Sequence, residues 1–179
     1  YPHTIMLVLC IFKFRSHDMG TFKLVLEDDF GYDFTLIAIH GAIESYYLAY
    51  LLNRHLKLRL KRSRNDLTIS HDVISAKFPL YEYHNEQQYA TYHLFSNLTK
   101  ITKERDDTLS SLFESKTSTE IRYFLEDLPR VDYLLKISEE GSGFVQTKTL
   151  KALNQIQQIV TAYTVDINQL KTKENLIFE

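Results

Sequence analysis

The chain has 179 residues, 44% of them hydrophobic and 13% aromatic, and a formal net charge of −2. That size and apolar share predict a single domain with a sizeable core, and the near-neutral balance excludes a globally cationic binder of nucleic acid or membrane. One cysteine, Cys10, excludes an intramolecular disulfide and a cysteine-based zinc cluster, and makes a reducing, cytoplasmic compartment the expected home.

In residues 1–18 the apolar run from Ile5 to Phe12 is shorter than the roughly 18 residues of a membrane span. It also lacks the basic start and small-residue exit of a signal peptide. Met19-Gly20-Thr21-Phe22 reads as a better start, so residues 1–18 are expected to be an upstream extension of one α+β domain over 19–179. Phe22, Leu24 and Leu26 alternate with Lys23 and Val25 as in a half-buried strand, and Glu27-Asp28-Asp29 follows as a carboxylate turn. Residues 34–39 are almost continuously apolar, which predicts a central strand covered on both faces and closed by His40-Gly41.

The period then lengthens. Ile43, Tyr47, Tyr50 and Leu51, widened by Leu48 and Leu52, predict the apolar face of a helix, with Ser45, Ala49 and Asn53 opposite. Leu56, Leu58 and Leu60 alternate with Lys57, Arg59 and Lys61 and predict a strand directly after it. Residues 78–84 and 89–95 read as a tyrosine-rich hairpin around Asn85-Glu86-Gln87-Gln88, with Pro79 at an edge or strand start. Residues 97–111 read as a polar loop. Residues 121–125 and 133–137 are expected to pair as strands around Pro129. In the second, Val131, Tyr133, Leu135 and Ile137 should take one face and Asp132, Leu134 and Lys136 the other, one face clearly more buried. Leu150, Leu153, Ile156, Val160 and Tyr163 predict a second helix, with Lys151, Asn154, Gln155 and Gln158 toward water. The sum is an α+β fold: a mostly antiparallel sheet with two amphipathic helices packed on it.

Phe124-Leu125-Glu126-Asp127-Leu128-Pro129-Arg130-Val131-Asp132-Tyr133 carries a resemblance. It resembles the signature of the bacterial IPExxxVDY family, small Bacteroidota proteins without an assigned activity. Val131-Asp132-Tyr133 stands at the matching place after the free positions Leu128-Pro129-Arg130, whereas Leu125-Glu126-Asp127 replaces Ile-Pro-Glu. The likeness extends more loosely from about Phe22 to Lys173-Glu174-Asn175-Leu176-Ile177-Phe178. It implies a family and no activity.

Signals for chemistry are sparse. There is no glycine-rich phosphate loop, no closely spaced histidine pair and no Gly-x-Ser-x-Gly elbow, so no cofactor and no metal site is implied. His40 and His71-Asp72 stand alone, His40 as a packing residue. Glu27-Asp28-Asp29 lacks the spacing of a calcium loop. Glu126, Asp127 and Asp132 would approach one another if the flanking strands pair, as acid and base or, more simply, as turn-fixing acceptors beside Arg130.

The functional-looking stretch is basic: Arg54, His55, Lys57, Arg59, Lys61, Arg62 and Arg64 precede the first acid, Asp66. On a strand, Lys57, Arg59 and Lys61 would form an outward row spaced about 6.6 Å apart. Such a row suits docking onto a protein partner of complementary charge, while residues 103 to 140 carry the acidic excess. The alternative is a nucleic-acid binder that adds stacking faces from Tyr81, Tyr83, Tyr89 and Tyr92. A guarded sheet edge is the plain structural reading. The function expected is thus a small binding or accessory protein, with an enzyme of unrecognised type the least supported class.

Overall fold

The apolar run at residues 34–39 forms β1 (Phe34–His40), and Leu36, Ile37, Ala38 and Ile39 are fully buried. The run shows no alternation because both of its faces meet core. In this computed structural model the described residues are 32, 34–71, 74–104, 117–139 and 146–178. The expectations for residues 1–31, Leu112-Phe113 and the side chains of His71-Asp72 lie outside them.

After β1 come α1 (Ser45–Leu56), β2 (Lys61–Arg62), β3 (Leu67–His71), β4 (Ile74–Phe78), β5 (Leu80–Asn85) and β6 (Ala90–Ser96). Then follow β7 (Leu98–Glu104), β8 (Thr117–Tyr123), β9 (Tyr133–Glu139), α2 (Gln146–Leu153) and β10 (Thr161–Val165). Six strands form an antiparallel sheet in the order β10-β1-β9-β6-β5-β2, and β3-β4 and β7-β8 are separate two-stranded sheets. The fold is α+β, as the alternating periods predict.

Two cores sit on the two faces of the large sheet. Ile37, Ile39, Leu94, Leu135 and Ile137 meet Leu48, Leu51 and Leu52 of α1 and Leu153 of α2. Leu36, Ala38, Phe95 and Leu134 meet Ala76 and Phe78 of β4, Phe124, Leu125 and the tail residues Leu170 and Leu176. Each fully buried leucine contributes roughly 2 kcal/mol by its removal from water.

This double covering corrects the expectation for β9. Tyr133, Leu135 and Ile137 are buried, but so are Leu134 and Lys136. The strand is there, yet its two faces are equally buried because it lies between β1 and β6 with a layer on each side. β8 and β9 do not pair: β8 pairs with β7, in a segment expected to be loop. Thr99, Ile101 and Thr102 are β-branched, and polar β-branched residues suit a two-stranded sheet with one wet face.

The hairpin forms as expected, with Leu80 opposite Phe95 and Asn85 opposite Ala90. Pro79, which offers no ladder N–H, stands in the break between β4 and β5. The second helix is shorter than its pattern predicts. Beyond Leu153 the chain turns, Val160 is 81% exposed, and Tyr163 lies in β10. The Asn154 side chain enforces the stop, since its Oδ1 accepts from the Ala162 amide at 2.8 Å and its Nδ2 donates to the Ala162 carbonyl at 2.9 Å.

α1 ends on Lys57, which adopts the left-handed conformation with φ 56° and ψ 35°. Glycine favours that position, and an L side chain there costs about 1 kcal/mol. Lys57→Gly is therefore expected to raise stability by about 1 kcal/mol, read as a higher urea midpoint. A lowered midpoint would show that the lysine side chain contributes contacts that outweigh its backbone strain.

Candidate interaction surface

The basic stretch is shaped by one asparagine. Asn53 Nδ2 donates to the Leu60 carbonyl at 3.0 Å and its Oδ1 accepts from the Leu60 amide at 2.8 Å. This pair of bonds pins the chain back against α1 as it leaves the helix. Leu58 and Leu60 are buried, Leu56 is half-buried, and Lys57, Arg59 and Lys61 are exposed. The alternation of burial is as expected but the long strand is not. Among the described residues, 57–60 have no strand partner, and of this stretch Lys61–Arg62 pair, opposite Glu82 and Tyr81 at the sheet edge.

The six cations divide into two groups. Arg62 is anchored: it donates to the carbonyls of Ser63 (2.9 Å) and Leu80 (3.3 Å), pairs with Asp66 and lies 5.7 Å from the Tyr81 ring centroid. Arg54, Lys57, Arg59, Lys61 and Arg64 are exposed and make no ion pair among the described residues. Lys61 stands across from Glu82.

Two of the stacking faces expected beside them are buried. Tyr81 and Tyr92 are only 8% and 6% exposed, and Tyr83 stacks on Tyr92 with centroids 6.0 Å apart. Of that set Tyr89 alone is open to solvent.

Exposed aromatic surface occurs instead on α1, whose orientation differs from the prediction. Ala49, expected outside, is buried, and Ser45 and Asn53 are half-buried, with the Ser45 hydroxyl 3.3 Å from that of Tyr81. Tyr47 and Tyr50, expected inside, are exposed, as is Tyr46 at 67%. The string Tyr46-Tyr47-Leu48-Ala49-Tyr50-Leu51-Leu52 is apolar all round, so its period does not choose a face. Close packing does: alanine lets the helix approach, and tyrosine hydroxyls stay wet. At 3.6 residues per turn Tyr46, Tyr47, Tyr50 and Arg54 fall within an arc of about 100°. Tyr47 and Tyr50 stack with centroids 6.2 Å apart.

The carboxylates of the signature stretch are held apart in separate tasks. Asp132 Oδ2 accepts from the Gly41 amide at 2.9 Å, and the Tyr133 hydroxyl donates to the Ile43 carbonyl. Together they grip the link between β1 and α1, where a Cβ on Gly41 would come within 3.0 Å of the Gln158 carbonyl oxygen. Burial, then the nearby Glu44, Asp132 and Tyr81, push the Tyr133 phenol up to about 12, so it remains a donor. Asp127 Oδ2 accepts from the amides of Thr172 (3.0 Å) and Lys171 (2.8 Å) and from the Thr172 hydroxyl. These bonds, the Thr172 amide first, hold its carboxyl below the usual range. The acceptors thus serve groups 44 to 91 positions away rather than their own turn. Glu126, Pro129 and Arg130 are exposed, while Leu125 and Val131 are buried.

Several telling residues carry no sequence signal. Asn97, fully buried, binds three backbone groups of residues 125–131. Lys136 is 6% exposed, donates to the Leu176 carbonyl at 2.8 Å and lies 4.3 Å from the Phe178 ring centroid. Burial holds its pKa below the ordinary lysine value. His93 stands opposite it, with Nδ1 buried and unbonded. His40 stacks on Tyr163 at 5.7 Å, a packing contact. A cavity of about 480 Å³ opens between the end of α1, the β5–β6 turn and α2.

Among the described residues no three His, Cys, Asp or Glu side chains gather as a metal site requires, and no helix is long and apolar enough to cross a membrane. Comparison with known proteins finds no matching family model, curated protein or solved structure.

Proposed function

We propose that this domain is a cytoplasmic binding or accessory protein that docks onto a protein partner presenting an acidic segment. The surface is the Tyr46-Tyr50-Arg54 stripe of α1 with Lys57, Arg59, Lys61 and Arg64 beyond it. Membership of the IPExxxVDY family belongs to the same reading, supported by the structural tasks that Asp132 and Tyr133 perform.

One observation carries it: three exposed tyrosines are followed in the sequence by five exposed cations that have no ion pair among the described residues. Tyrosine and arginine dominate binding energy: tyrosine buries large area with two rotatable bonds and keeps a polar end, and arginine presents a planar fork of donors. A run of cations speeds encounter with an acidic surface and disfavours basic ones. Burial of Tyr81 and Tyr92 takes two of the four expected stacking faces from a single-strand binder.

The test is a photo-crosslinking side chain placed at Tyr50, and at Thr119 on β8 as a control, in cytosol with and without nuclease treatment. Adducts specific to position 50 should map to acidic segments of one protein. With that protein purified, the combined change Tyr46→Ser, Tyr50→Ser and Arg54→Gln should weaken binding at least roughly 100-fold. Replacing Lys57, Arg59 and Lys61 by Gln should instead slow association mainly. Adducts that are nucleic acid, or equal at both positions, would overturn the proposal.

A further inference from the structure

We infer that the cleft between the end of α1, the β5–β6 turn and α2 binds a small organic anion, an acidic headgroup on an apolar body. Its volume of about 480 Å³ lies in the range of small-molecule sites, roughly 300–1,000 Å³. The lining has two chemistries. Leu56, Leu58, Ala90, Ala152 and the Tyr92 ring supply apolar surface, while Lys57 and Lys148 supply charge. Both lysines are exposed and make no ion pair among the described residues. Glu139 is the one carboxylate of the described lining, and it is engaged in an interaction of its own.

A second observation points to the same place. Among the described residues only Lys57 and Tyr89 are non-glycine residues with positive φ, 56° and 48°. Lys57 lines the cleft, and Tyr89 lies between the lining residues Gln88 and Ala90. Left-handed conformations of L residues cost free energy and gather where a fold serves a ligand, so two of them bordering one cavity mark it. The turn that carries Tyr89 is also bonded internally. Asn85 Oδ1 accepts from the amides of Gln87 (3.1 Å) and Gln88 (3.3 Å), and Asn85 Nδ2 donates to Gln88 Oε1 at 2.9 Å. The Gln88 amide oxygen is thereby bonded within its own turn at the edge of the cleft.

This inference is independent of the docking surface, although Lys57 borders both. The probe is 1-anilinonaphthalene-8-sulfonate, a sulfonate on an aromatic body, titrated against the full chain by fluorescence. Its uncharged counterpart, N-phenyl-1-naphthylamine, serves as the comparison. One saturable site per chain is expected. Lys57→Gln with Lys148→Gln should weaken sulfonate binding at least tenfold and change that of the uncharged dye less than twofold. Ala152→Phe should abolish both by filling the cleft. Lys77→Gln with Lys100→Gln, exposed positions outside the lining, should leave both unchanged, and urea midpoints show that each variant folds. Absence of a saturable site would overturn the inference. So would sulfonate affinity indifferent to Lys57 and Lys148, or equally sensitive to Lys77 and Lys100. If Ala152→Phe fails to fold, Ala152→Leu reads the same steric effect.

Discussion

Asn97→Ala is expected to destabilise the protein by about 4 kcal/mol, the largest effect of any single polar substitution considered. Asn97 is fully buried where β6 passes into β7. Its Oδ1 accepts from the Leu125 amide at 2.8 Å, and its Nδ2 donates to the carbonyls of Leu128 (2.8 Å) and Val131 (3.2 Å). Its own backbone adds two bonds, N–H to the Asp132 carbonyl at 2.9 Å and carbonyl from the Phe124 amide at 2.7 Å. Asn97 therefore ties Leu125, Leu128 and Val131 of this stretch to one point, beside the separate anchors of Asp127 and Asp132. Alanine keeps the backbone bonds but leaves the Leu125 amide and the Val131 carbonyl without partners, each costing about 1–3 kcal/mol where water does not reach, and removes one of two donors from the Leu128 carbonyl, which keeps the Val131 amide at 3.1 Å. Asn154→Ala offers the comparison, because its clamp on Ala162 sits at the exposed rim where water substitutes. It should cost only about 1 kcal/mol. Urea unfolding measures both. Equal midpoints for the two variants would show that Asn97 does not organise the segment.

Acid should weaken the fold in a window set by His93. Burial, then the neighbouring Lys136 ammonium, lowers its pKa from 6.5 to about 4. Between those values the unfolded chain binds a proton that the folded chain refuses, so stability falls as pH drops through the window. Above 6.5 the term is absent, and below about 4 the loss is complete, at roughly 3 kcal/mol. That is a large share of the about 5–15 kcal/mol that holds a typical domain together. Protonation would set a second cation beside Lys136 and against the Phe178 ring, whose centroid is 5.3 Å from that of His93. His93→Leu should flatten the slope of stability between pH 6.5 and 4 while leaving the fold intact. Asp127 acts in a separate range: its lowered carboxyl contributes stability above its ordinary pKa, lost only as pH falls through the lower, folded-state value. An unchanged slope in His93→Leu would show that other groups cause the acid response.

The positions of these two residues explain why neither is legible in the sequence. Asn97 stands in a polar run that reads as loop, and its partners lie 28 to 34 positions away. The pattern places Lys136 on the strand face opposite Tyr133, Leu135 and Ile137, and nothing in it marks His93. They are inside because the small sheets and the tail cover the second face of the large sheet. No local pattern announces that covering.

The sequence by itself determined the elements whose pattern has one interpretation. The unbroken apolar run became β1, the tyrosine-rich pair became the β5–β6 hairpin, and Leu58 and Leu60 went inside with Lys57, Arg59 and Lys61 outside. In each, a side chain's choice between water and core is made within a few residues by hydrophobicity and backbone geometry. Tertiary structure alone decided which face of α1 is buried, where α2 stops, that β8 pairs with β7 and that β9 is covered twice. Those outcomes depend on competition. Ala49 is buried while Tyr47 and Tyr50 face outward, and Asn97 spends its amide on backbone 28 to 34 positions along the chain. Such contacts exist only once the layers have met, so only the folded molecule reveals them.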